Sequence, residues 1–148
     1  MAKDITDLFS DVEKEALKGA IEDAELNTSG EIRVHIENNC KGEVLDRAAQ
    51  IFKQLEMHKT TQRNGVLFYL AVENRRFAIL GDVGINAVVP PNFWEEVKET
   101  MLLSFRENKF VDGLMEGIDM AGVKLKEFFP YQTDDVNELS DDISFSNN

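Results

Sequence analysis

Cysteine is almost missing from this sequence. Cys40 is the only one, so neither an intrachain disulfide nor a thiolate metal cluster can form. Histidine is nearly as scarce: His35 and His58 are the only two, which argues against a His-rich transition-metal site. Basic charge is short as well. Sixteen Lys and Arg stand against 28 Asp and Glu, a formal net charge of -12. Such a surface repels phosphate backbones and argues against binding nucleic acid through a basic patch. No apolar run approaches the roughly 20 residues of a membrane helix. The opening MAKDITDLFS lacks the apolar core of a signal peptide. The expectation is a cytoplasmic, monomeric protein with no membrane contact. Nucleotide-binding fingerprints are missing too. There is no P-loop, Gly81-x-x-Gly84 lacks the G-x-G-x-x-G pattern, and no D-x-[DN]-x-[DN]-G calcium loop occurs.

What remains is enough for one domain with a real core, over residues 1–130, followed by an acidic, Ser/Asn-rich stretch at 131–148 that reads as a mobile tail. Ser10 and Glu13 form a Ser-x-x-Glu capping box. Val12, Ala16, Ala20 and Ala24 then recur every four residues beside Leu17 and Ile21, the stripe of an amphipathic helix. In EIRVHIE, Glu31 to Glu37, apolar and polar residues alternate, which predicts a strand with one buried face. Leu45, Ala48, Ala49, Phe52 and Leu55 return to helical spacing over about 43–57. VLFYLAV, Val66 to Val72, is apolar on both faces, as a central strand should be. Glu73-Asn74 turns it into a partner strand, RRFAIL, at 75–80. Pro90-Pro91 precedes a helix carrying Phe93, Trp94, Val97, Met101 and Phe105. A last helix ends near Phe129-Pro130.

Strand directions bring distant residues together. Two strands joined by a helix run parallel with a right-handed crossover, and a hairpin makes the third antiparallel. Helices cover both faces of this small mixed sheet, an α/β fold. Glu31 starts the first strand, Asn64 precedes the second and Asp82 follows the third. All three therefore share one edge, to which His58 also returns, while Glu37, Glu43, Asp46 and Glu73 belong to the other. Carboxylate and amide oxygens of Glu31, Asp82 and Asn64 suit a hard cation, calcium above all. Glycines at 30, 65, 81 and 84 leave backbone open to a ligand, and they equally serve to shape turns. Among the other candidates, His35 reads as a packed or surface histidine and Cys40 as an inert thiol. Arg75-Arg76 reads as the charged end of a hairpin that can also hold a phosphate oxygen.

Thr28-Ser29-Gly30-Glu31-Ile32-Arg33-Val34, then Asn64-Gly65-Val66-Leu67, then Arg75-Arg76-Phe77-Ala78-Ile79 with Gly81-x-x-Gly84-Ile85, resemble the TPM domain family in order and spacing. Phe105 to Leu114 with Gly117-Ile118 is similar to its C-terminal signature. The resemblance spans about Val12 to Phe129 and implies a three-layer α/β/α sandwich. Some members of that family bind calcium or other divalent ions, so it implies a cation-binding domain with a structural or interaction role. The alternative it implies is a metal-assisted acid phosphatase. Glu31 and the Gly81–Gly84 loop match family positions, whereas the position of Asp82 varies. Many members carry a signal peptide and a membrane segment. This chain shows neither, so their compartments do not carry over.

Overall fold

The computed structural model describes residues 8–131 and 142–146. It is a three-layer α/β/α arrangement around a four-stranded mixed sheet. Helix α1 (Asp11–Glu25) opens with the capping box intact: the Glu13 amide donates to Ser10 Oγ and the Ser10 amide to Glu13 Oε1. Strand β1 (Glu31–Glu37) leads through helix α2 (Val44–Gln54) and a single 3-10 turn (Met57–Lys59) to β2 (Gly65–Ala71). A tight hairpin then gives β3 (Arg76–Gly81). The short α3 (Val83–Asn86) follows, then α4 (Phe93–Phe105) and α5 (Phe110–Phe128). Ser144–Ser146 form a fourth strand, β4.

The sheet order is β3-β2-β1-β4. β1 pairs parallel with β2 and β2 antiparallel with β3, as strand directions require. One face carries Ile32, Val34, Ile36, Val66, Phe68 and Leu70 against α1, α4 and α5. The other carries Leu67, Tyr69, Ala71 and Ala78 against Ala48, Ile51 and Phe52 of α2. Both faces of β2 are buried, which is why its sequence is apolar throughout.

Three readings need correction. Val12 and Leu45, placed on apolar stripes by spacing, are exposed, each in the first turn of its helix, where the helix has not yet come down on its packing partners. β1 is buried on both faces, including Glu31, His35 and Glu37, although its alternation predicts one wet face. Part of the reason is β4, which the three-residue SFS segment does not announce. It pairs parallel with the free side of β1, Ser144 opposite His35 and Ser146 opposite Glu37. Residues 132–141 and 147–148 of the expected tail lie outside the described residues. Among the described residues no helix is long and apolar enough to cross a membrane.

Candidate functional site

At the end of the sheet where β1 and β2 begin, register decides what meets. Glu31 lies opposite Gly65, and Val66 opposite Gly81. The Asp82 amide donates to the Gly65 carbonyl at 2.9 Å, and the Glu31 amide to the Asn64 carbonyl at 3.4 Å. Glu31, Asn64 and Asp82 therefore lie along one edge, and all three are buried. His58 reaches the same end of the molecule in the 3-10 turn, whose Met57 packs against Gly65.

Local sequence explains how this edge is built. Asp82 caps α3, its Oδ1 accepting the Val83 amide at 2.7 Å. The first turn of α3 presses on the loop before β2: the Gly84 amide donates to the Arg63 carbonyl at 2.8 Å. A Cβ at Gly84 would stand 2.1 Å from the Gln62 carbonyl oxygen and 2.6 Å from that of Arg63, so only glycine allows this approach. Arg63 itself adopts a left-handed backbone, φ 52°. Its guanidinium grips Asp82 with both arms, Nε to Oδ2 at 2.7 Å and Nη2 to Oδ1 at 2.8 Å. The carboxylate, in turn, holds the guanidinium more firmly protonated than usual.

Ser29 Oγ closes the group, accepting from Gln62 Nε2 at 3.0 Å and from Asn64 Nδ2 at 3.3 Å. Two buried oxygens of this loop, Asn64 Oδ1 and Thr60 Oγ1, have no hydrogen-bond partner among the described residues. Native interiors rarely leave such acceptors unpaired, because each costs about 1–3 kcal/mol. Among the described residues no three His, Cys, Asp or Glu side chains gather as a metal-holding group. The side chains along this edge are two carboxylates with neutral amide and hydroxyl groups, oxygen donors of the class that hard cations take.

This chain matches the family model of the TPM domain over residues 2–124. It belongs to the TPM domain family. It is 44% identical to the BA42 protein of the psychrophilic bacterium Bizionia argentinensis, whose NMR structure superposes with a TM-score of 0.89 over 99% of this chain and 100% of that one. An N-terminal domain from P. gingivalis (19% identity, TM-score 0.68, 84% of this chain and 83% of that one) has the same fold. So has the N-terminal domain of the cg2496 protein of Corynebacterium glutamicum (14%, 0.65, 84% and 82%). No curated protein matches the chain.

The opposite end of this TPM domain holds a second polar group that alternation in EIRVHIE conceals. Glu37 is 0% exposed. Arg47 of α2 clamps it, Nε to Oε2 at 2.8 Å and Nη2 to Oε1 at 2.7 Å, and the Tyr69 hydroxyl donates to Oε2. Burial alone would raise the Glu37 pKa, but the Arg47 fork and the Tyr69 hydroxyl outweigh it and hold the carboxyl below its ordinary range. Burial and Glu37 together push the Tyr69 phenol far up. His35 Nδ1 lies 2.8 Å from Ser144 Oγ, and Nε2 lies 3.1 Å from Ser146 Oγ and 3.4 Å from Glu37 Oε1. Burial lowers the His35 pKa. The histidine is thus packed inside a satisfied network. Cys40 is buried beside this group, its Sγ 4.0 Å from the Gly42 carbonyl.

Sequence reasoning missed Arg63, Thr60 and Gln62 at the first end, and the pairing of Arg47 and Tyr69 with Glu37 at the second. The first three were within reach, since the polar run Thr60 to Asn64 must end beside Glu31 once the strands are parallel. The second pairing needs the rotation of α2, which no spacing states.

Proposed function

We propose that the Glu31, Asn64 and Asp82 edge binds a hard divalent cation, calcium foremost, and that the domain serves a structural or interaction role through it. The observation that carries this reading is Asn64 Oδ1, a buried acceptor lacking a hydrogen-bond partner on the same edge as two buried carboxylates. A cation at this edge gives Asn64 Oδ1 the partner it lacks. Arg63 now holds Asp82 as an internal cation would, so a metal must displace it. Calorimetry with calcium tests this on the wild type, on Glu31→Gln with Asp82→Asn, and on Arg63→Gln. The double variant is expected to bind at least about tenfold more weakly, and Arg63→Gln more tightly than wild type. Equal affinity in the wild type and the double variant removes this site.

A second reading, metal-assisted hydrolysis of a phosphomonoester, is favoured by the exposed face of Arg63. A bound cation supplies Lewis-acid chemistry there. Arg63, once released from Asp82, offers its fork to a phosphoryl oxygen. In this reading Arg63→Gln binds calcium more tightly yet turns over phenyl phosphate more slowly. Absence of any metal-dependent turnover in the wild type ends it.

A further inference from the structure

An apolar cavity of about 110 Å³ opens at the end of the sheet away from Asp82. Leu70 and Phe77, paired across β2 and β3, form its floor. Leu102 and Phe105 come from the last turns of α4, and Phe110 from the start of α5. Phe105 stands edge-on to Phe77 at 4.8 Å between ring centres and tilts against Phe110 at 5.7 Å. The lining thus combines rings already fixed against one another, which is how pre-formed ligand pockets are built. It lies outside the carboxyl end of β2, the end of a parallel strand where open α/β sheets place their ligands.

Two arginines are the only polar residues in the lining, and the wall itself is almost wholly apolar, so their charged ends stand at its mouth. Arg75, in the β2–β3 turn, and Arg106, just past α4, are both exposed and both line the cavity. Among the described residues neither side chain makes an ion pair or a hydrogen bond, whereas Arg47, Arg63 and Arg76 all do. No acidic residue lines the cavity, although the chain carries 28 of them. Two unpaired arginines thus stand at an apolar opening on a molecule of net charge -12. The backbone aims Arg75 by holding a left-handed conformation, φ 50°. Its neighbour Arg76 is tied to the Gly42 carbonyl at 2.7 Å and takes no part.

We propose that this cavity binds a small amphiphilic carboxylate. An acyl or aromatic body lies among Phe77, Phe105 and Phe110, and the single carboxylate meets Arg75 and Arg106. The apolar walls exclude a ligand with polar groups along its body, since these would be buried without partners. The guanidinium fork matches a carboxylate bidentately. This site is independent of the cation edge and stands or falls without it.

Titration of the whole chain with octanoate, followed residue by residue by NMR, tests the assignment. Octanol supplies the same body without charge, acetate the charge without a body, and octyl phosphate a different anion. The expected result is saturable shifts at Leu70, Phe77, Leu102, Phe105 and Phe110 with octanoate, with octanol and acetate at least about tenfold weaker. Arg75→Gln with Arg106→Gln should weaken octanoate by about the same factor and leave octanol unchanged, which also shows that the variant keeps its cavity. Equal binding of octanoate and octanol, or an unaffected double variant, reduces the cavity to an apolar crevice and overturns the proposal. So does tighter binding of octyl phosphate, or of a peptide ending in a free carboxylate, in favour of those ligands.

Discussion

The two polar groups at opposite ends of β1 are built from similar parts and end in opposite states. Each has a buried carboxylate clamped by both arms of an arginine, Glu37 by Arg47 and Asp82 by Arg63. At the Glu37 end the clamp is mostly enclosed: the Arg47 side chain is 21% exposed, and Tyr69 and His35 fill in around it. At the Asp82 end the Arg63 side chain is 45% exposed, and two buried oxygens nearby have no partner. A closed, satisfied network contributes to holding one structure. A set with an unmet acceptor and a displaceable clamp is suited to a ligand. The same chemistry thus serves as structure at one end and as a candidate site at the other, and satisfaction of the lone pairs separates them.

The largest expected effect comes from opening the closed end. Arg47→Met leaves Glu37 buried and uncompensated, and should lower stability to urea by about 3 kcal/mol. A loss below about 1 kcal/mol would mean that Glu37 reaches water and that the two ends do not differ as described.

Acid should act on the closed end with smaller effect. Burial lowers the His35 pKa, and the Arg47 and Tyr69 bonds hold that of Glu37 down. The unfolded chain takes up these protons at ordinary values of 6.5 and 4.5, before the folded chain does. Their contribution to stability is therefore complete above the ordinary values and is lost on acidification. The loss begins below 6.5 for His35 and below 4.5 for Glu37. Thermal melts of wild type and His35→Gln should diverge in slope over the upper window, the variant being flatter. Parallel curves there would show that His35 protonates without cost and that β4 does not enclose it.

The smallest effect belongs to the open end. Asn64→Leu removes an acceptor that has no partner together with one long bond, Nδ2 to Ser29 Oγ at 3.3 Å, and without a cation the two changes should offset to within about 1 kcal/mol. A larger loss in urea unfolding would show that the amide is already satisfied and would erase the contrast.

Much of this was legible in the chain. The capping box at Ser10, the all-apolar run of β2 and the hairpin after Ala71 are local signals, and the structure contains each of them. The meeting of Glu31, Asn64 and Asp82 followed from strand direction alone, since a parallel pair and a hairpin leave no other edge for them. What stayed hidden was set by neighbours remote in sequence. Glu37 and His35 look like a wet strand face until α2 supplies Arg47 and β4 supplies Ser144 and Ser146. Gly84 reads as a turn former until the Gln62 carbonyl is found where its side chain would be.

Sequence by itself determined the elements other than α3 and β4, their order and the edge that Glu31, Asn64 and Asp82 share, because periodicity, caps and crossover handedness are local or topological rules. Only the tertiary structure decided which carboxylate is sealed and which stays open to displacement. It also decided that Arg75, and not Arg76, joins Arg106 at an apolar cavity. Burial and hydrogen-bond satisfaction are properties of what packs against a residue, and spacing along the chain carries no record of them.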